Sequence, residues 1–243
     1  MSEWLVQLTG EKFDLEELPK KFTSEKLIVI EKDGKYYLKS SGFNSLINNS
    51  EVQKKAKELL ELINGAVKIK MPNYRLVNID AVVEIDEEGQ HHRHTTLKAE
   101  PISVRVKTSA RVEITKPGLS YEEQEGNKTT WEETWVTLAE KYEEVKKVLR
   151  FFTKELSWDN LYEIWEVIEE DQGSKVFKKG WASEKKVERF TQTANSEGAI
   201  GDEARHALKR FRPPKKPMKL SEAESLIRTI ADSWLSEKLT SLG

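Results

Sequence analysis

An α+β fold follows from two rhythms in the chain and the break between them. Residues 4–114 carry short apolar runs that alternate with polar residues and end at turn formers, the pattern of half-buried strands. From about residue 138 the apolar residues recur three and four apart, the pattern of amphipathic helices. Between the two, Lys116-Pro117-Gly118 ends the strand pattern and a polar, acidic stretch follows. The expected architecture is an antiparallel sheet domain with one covering helix over 1–118, an acidic linker over 119–130, and an all-α four-helix domain over 131–243.

Strands are predicted near 4–8, 27–31, 36–39, 66–70, 77–85, 92–99 and 102–114. Asp33-Gly34 sits between Ile28-Val29-Ile30 and Tyr36-Tyr37-Leu38, and it supplies cheaply the two positive φ angles of a type I′ hairpin turn. Glu87-Glu88-Gly89 predicts a second, longer hairpin. In the last strand Val104, Val106, Ala110, Val112 and Ile114 are candidates to face inward, with a register break near Thr108-Ser109. One helix interrupts this half. Ser50 is its candidate cap, Val52, Ala56, Leu59, Leu60 and Ile63 form its stripe, and Asn64-Gly65 occupies the place of a left-handed C-cap.

Beyond the linker, Leu138, Ala139, Tyr142, Val145, Leu149, Phe152 and Leu156 predict one long helix. Ser157 caps a second, with Leu161, Ile164, Trp165 and Ile168 inward and Asp171-Gln172-Gly173 at its end. A third starts at Ser183 and uses Val187, Phe190 and Ala194. Ser221 with Glu224 forms a capping box for the last, whose stripe runs through Ala223, Leu226, Ile227, Ile230, Trp234 and Leu235.

The 243 residues are 34% charged and 37% hydrophobic, and seven Trp are available to fill a core. Cysteine is absent, which excludes disulfides, thiolate catalysis and Cys-type zinc sites and fits a reducing interior. The start Met1-Ser2-Glu3-Trp4 lacks the basic and apolar regions of a secretory signal, and no run approaches the ~20 apolar residues of a membrane span. A cytoplasmic protein with no membrane partner is expected. The net charge of −2 is neutral on nucleic acid, but charge clusters locally. Seven Lys or Arg and no acid lie between Arg205 and Lys219, whereas Tyr121 to Glu144 holds eight acids against two Lys.

The residues hardest to explain by folding alone lie between Trp181 and Leu235. His206 can act as general acid or base near neutrality, and the adjacent Arg205 guanidinium can neutralise a phosphate. Consecutive helical residues point about 100° apart, so these two converge on one ligand only where a helix ends or bends. The structural alternative packs His206 at a helix end and pairs Arg205 with an acid of the second helix, such as Glu166 or Glu169. Asn195, with glycines at 198 and 201, predicts that the third helix is broken by a loop. Lys209, Arg210, Arg212, Lys215, Lys216 and Lys219 surround Phe211 and three prolines, Pro213, Pro214 and Pro217, which hold the segment extended. Such a ridge can contact a phosphate backbone while Phe211 stacks on a base, or it can serve as a rigid connector whose cations offset acidic neighbours. His92 and His94 would share a strand face with His91 opposite, too few imidazoles for a metal site without further ligands.

A four-helix module with a polar corner of Arg205 and His206 just before the last amphipathic helix resembles the HEPN domains, compact helical units of prokaryotic toxin and phage-defence proteins. Several members of that family are metal-independent ribonucleases in which an Arg is followed, after an intervening stretch, by a His, and dimerisation brings two such pairs to one cleft. Here Arg205 and His206 are adjacent, which departs from that spacing, and Arg189 lies too far upstream in sequence to restore it. The run 190–195 through 204–207 is also similar to bacterial proteins of uncharacterised function. The resemblance implies a non-catalytic binding protein without cofactor, whose partner is RNA or a protein and which could form a homodimer, in a defence or stress setting. The alternative it leaves is a metal-independent HEPN-type ribonuclease, with His206 as acid or base, Arg205 stabilising the charged phosphate and Asn195 orienting the strand.

Overall fold

The computed structural model describes residues 3–86, 88, 90–95, 130–205 and 212–240. Its sheet is organised around the first strand, β1 (Glu3–Thr9), which is buried along Trp4, Leu5, Val6, Gln7 and Leu8, as a central strand covered on both faces must be. Then come α1 (Lys12–Lys21), β2 (Leu27–Lys32), β3 (Lys35–Ser40), α2 (Asn49–Lys70), β4 (Asn78–Ile85) and β5 (His91–Thr95). The strands lie in the order β2-β3-β1-β4-β5, each antiparallel to its neighbour. Asp33 and Gly34 join β2 to β3 with φ of 53° and 69°, the positive pair the sequence predicts there. The β1–β4 register slips between Gln7 and Leu8, and the bulge leaves Asp80 between the paired residues. Its carboxylate accepts from Gln7 at 2.7 Å and from Arg93 at 2.6 Å. The predicted strand at 102–114, with its inward candidates and register break, lies outside the described residues.

Three expectations in this half need correction. First, α1 has no counterpart in the predicted elements. It buries only a narrow stripe of Asp14, Leu15 and Leu18 and contains Pro19, so neither its period nor its composition announces a helix. Second, residues 66–70 are helix and not strand. Third, α2 is capped by Asn48, which accepts the Glu51 amide, and not by Ser50, and it continues past Asn64-Gly65 to stop at Met71, where the following Pro72 disfavours helical backbone. Ile63, Asn64, Gly65, Ala66 and Val67 are all buried, because α2 packs on the sheet with one face and on later helices with the other. A helix buried all round loses its amphipathic signature, and a short apolar run then reads equally as a buried strand.

The helical half contains α3 (Trp131–Lys141), α4 (Glu143–Phe152), α5 (Trp158–Gln172), α6 (Lys175–Lys178), α7 (Glu184–Ala194), α8 (Glu197–Ile200) and α9 (Leu220–Thr240). The expected four helices are thus subdivided. The single helix predicted over 138–156 is broken at Tyr142, whose φ of −121° and ψ of 111° are extended, and neither Gly nor Pro marks the break. Ser157 and Ser183 cap α5 and α7 as predicted, accepting from the Asn160 and Lys186 amides, and Gly173 ends α5 with a φ of 53°. The capping box of α9 lies two residues earlier than predicted: Glu222 accepts the Lys219 amide at 3.0 Å.

Of the predicted linker, residues 119–129 lie outside the described set, while Thr130 caps α3 and donates to the Lys21 carbonyl of α1. Glu132, from the acidic run, is buried in an ion pair with Lys21 at 2.6 Å. Across this junction α2 packs against α3, α4 and α9, and one apolar core runs from Trp4 and Val6 through Ile63 and Leu149 to Trp234 and Leu235. At Gly65 the backbones of α2 and α4 come close. A Cβ there would overlap the Leu149 carbonyl oxygen of α4 and lie 2.7 Å from its carbonyl carbon, so only glycine permits this crossing.

Candidate functional site

The corner between α5, α7 and α9 is built from the end of α7. Phe190 of α7 is fully buried and lies 6.2 Å from the Trp158 ring and 5.9 Å from the Tyr162 ring, which fixes α7 against α5. At the last turn, Thr193 donates its hydroxyl to the Arg189 carbonyl and accepts the Met218 amide at 3.0 Å. Met218 is buried, so this bond anchors the residues leading into α9. Asn195 closes α7, its Nδ2 donating to the Thr191 carbonyl at 2.9 Å and to the Tyr162 hydroxyl at 3.2 Å. The predicted break follows: α8, then a turn at Gly201 with a φ of 64°, then Arg205, whose amide returns to the Ala194 carbonyl at 3.0 Å.

Arg205 is held on every side. Both terminal nitrogens donate to Glu166, each at 2.8 Å, Glu163 lies at 3.9 Å, and the guanidinium sits 4.2 Å from the centre of the Tyr162 ring. The Glu166 carboxylate pushes its pKa further up, against the opposing effect of burial. Glu166 takes the end-on fork of this guanidinium and neutralises its charge, so a phosphate would have to compete with a carboxylate already in place. Asn195 likewise has its amide nitrogen committed, and its Oδ1 is buried without a hydrogen bond, so it does not face a strand in solution. His206, Lys209, Arg210 and Phe211 lie outside the described residues.

Arg212, Lys215 and Lys216 are exposed, and no described carboxylate is in ion-pairing distance of them. Pro213 packs over Gly198, where an added Cβ would meet its ring at 3.5 Å, and with Met218 tethered the segment is pinned at both ends with its cations outward. Beside it lies a groove of about 580 Å³ between α7 and α9 that sequence reasoning missed, lined by Trp181, Ser183, Lys186, Arg189 and Ser225 among others. Arg189 does not approach the corner but pairs with Glu222 across this groove at 2.8 Å. That carboxylate is held below its ordinary range first by the Lys219 amide and then by Arg189. Lys186 at the start of α7 is exposed. The groove could have been found only by knowing that α7 and α9 lie side by side, since its walls are some 40 residues apart in sequence.

His92 and His94 of β5 meet carboxylates of their own hairpin. His92 lies 2.8 Å from Asp86, and His94 lies 3.6 Å from Glu84 with its ring 6.3 Å from Trp4. The His92 hydrogen bond, followed by the Gln90 amide, holds the Asp86 carboxyl below its usual range. Among the described residues no group of three or more His, Asp or Glu could hold a metal ion, and no helix is long and apolar enough to cross a membrane.

Comparison of the chain with protein-family models, curated proteins and solved structures returned no match.

Proposed function

We propose that this chain is a non-catalytic binding protein and that its partner is RNA, contacted by the segment 212–219 and the neighbouring start of α7. One contrast supports the reading. Arg205, the cation a ribonuclease would need at the corner, is neutralised by Glu166, whereas Arg212, Lys215 and Lys216 are presented outward on a proline-stiffened strip. A strip of cations with little conformational freedom suits a phosphate backbone, since it releases counterions on contact without first having to be ordered. The adjoining groove offers Trp181 and the hydroxyls of Ser183 and Ser225 beside Lys186, groups that suit the sugar and base of a single strand.

The test is fluorescence anisotropy of a labelled single-stranded RNA over a salt series, with wild type, R205A and the triple variant R212A/K215A/K216A. The triple variant is expected to weaken binding and to reduce the log-log salt slope by up to roughly 2, from about 0.7 per lost contact. R205A is expected to lower stability by about 1 kcal/mol and leave the slope unchanged. An unaltered triple variant removes the proposed surface. Binding of polyglutamate in place of RNA makes the partner an acidic protein, and RNA cleavage abolished by H206A overturns the non-catalytic reading.

A further inference from the structure

The start of α1 and the turn after α2 enclose an open cleft of about 500 Å³, lined by Glu11, Phe13, Asp14, Met71, Pro72, Tyr74 and Arg75 among others. Asp14 forms its floor: the residue is only 5% exposed, yet it contributes to the lining. Asp14 is the third residue of α1, where an acid commonly reaches back to the amide of the capping residue. Here it does not. Among the described residues no hydrogen bond or ion pair reaches its carboxylate, and Glu11 caps the helix without a side-chain bond. The nearby Tyr74 registers the charge, since its hydroxyl is pushed up first by burial and then by Asp14.

The charges around the cleft do not cancel. Arg75 pairs with Glu11 at 2.8 Å at the exposed rim, and both side chains are more than 60% exposed. That leaves the buried Asp14 carboxylate as the uncompensated charge. The free amides at a helix start favour a nearby anion only weakly, and the Asp14 carboxylate lines the open cleft with no described cation paired to it. Above it, Phe13 is 67% exposed, an unusual state for a large apolar side chain among the described residues, and it shares the wall with Met71 and Pro72. An anionic floor under an apolar wall matches a cation on a short hydrocarbon stem.

We propose that this cleft binds a primary alkylammonium group, the ammonium against Asp14 and the methylenes along Phe13, Met71 and Pro72. The proposal is independent of the RNA reading. Such a group belongs either to a free diamine or to a lysine side chain of a partner protein.

Isothermal titration calorimetry of the full chain against n-butylammonium, 1,4-diaminobutane and a doubly capped lysine tests this, with n-butanol as the uncharged control. Saturable binding of the amines and none of the alcohol is expected, with affinity at least ten-fold lower in D14N and reduced several-fold in F13A. The tighter of the diamine and the capped lysine identifies the source. Absence of saturable amine binding, or an affinity unchanged in D14N, overturns the proposal. If D14N does not fold, equal binding of n-butylammonium and n-butanol to wild type overturns it just as well.

Discussion

Replacing Gly65 by alanine tests the junction on which the two halves of this fold depend. In an exposed helix interior the change would stabilise by about 1 kcal/mol, because alanine loses less backbone entropy than glycine on becoming helical. Gly65, however, is buried where α2 crosses α4. The new Cβ would overlap the Leu149 carbonyl oxygen, and it would lie 2.7 Å from the carbonyl carbon and 3.0 Å from the Cα. Carbon atoms rest about 3.5–4.0 Å apart, so the helices must separate by roughly 1 Å, enough to forfeit a quarter to a half of each dispersion contact along the seam. The neighbour is main chain and cannot rotate away. The overpacking penalty therefore falls near the upper end of the usual range, about 3 kcal/mol, and the net loss is about 2 kcal/mol. For a chain of this size that corresponds to a fall in Tm of roughly 4–8 °C. Urea unfolding followed by tryptophan fluorescence is the assay, because Trp135 on α3 is fully buried and lies against Lys70 at the end of α2. G42A is the control, since its Cβ would meet only the end of Lys55 and the Ser40 hydroxyl at 3.5 Å, and it should change stability by less than about 0.5 kcal/mol. A G65A protein as stable as wild type, or more so, would show that α2 and α4 do not approach this closely and would remove the argument for a shared core.

Two further outcomes follow from buried polar networks. Asn64 donates to the Val77 carbonyl at 2.9 Å and accepts from the Val77 amide at 3.1 Å and the Tyr74 hydroxyl at 2.8 Å. N64L should cost at least about 3 kcal/mol in urea unfolding by leaving three buried groups unpaired, and a loss under about 0.5 kcal/mol would mean that they find other partners. Asp171 accepts from Trp234 at 2.7 Å and from Lys238 at 3.1 Å; burial pushes its pKa up, but its hydrogen bonds from Gln172, Trp234 and Lys238 outweigh that and hold it below the ordinary value. Its contribution is present above the unfolded carboxyl value of about 3.9 and disappears as pH falls through the lower folded value. D171N should therefore lower Tm at pH 7, with the difference from wild type closing only below about pH 4; a difference independent of pH would show that the Asp171 charge contributes nothing.

Elements set by near neighbours were legible in the sequence. β2 and β3 follow from alternation, β1 and β4 from short apolar runs between turn formers, and the Asp33-Gly34 turn and the serine caps of α5 and α7 from turn chemistry and capping, all of which act within a few residues. Elements whose surroundings come from far along the chain were not. The end of α2 is buried on two sides and loses its period, α1 is short and carries Pro19, and the break at Tyr142 has no residue type to announce it. The site divides in the same way. Glu166 was nameable as a partner for Arg205, and the polar break after Asn195 was visible, but the stacking of Arg205 on Tyr162 was not. Neither was the α7–α9 groove nor the bare carboxylate of Asp14.

What the amino-acid order determined by itself is an α+β chain with an antiparallel sheet, a helical second half and a basic, proline-stiffened segment before its last helix. Tertiary structure alone decided that α2 is shared between sheet and helices, that Arg205 is neutralised while Arg212, Lys215 and Lys216 are not, and that a buried acid faces an open cleft. The physical reason is range. Backbone propensity, capping and turn geometry are settled among near neighbours, whereas burial, pairing and desolvation depend on which distant segments arrive at the same place.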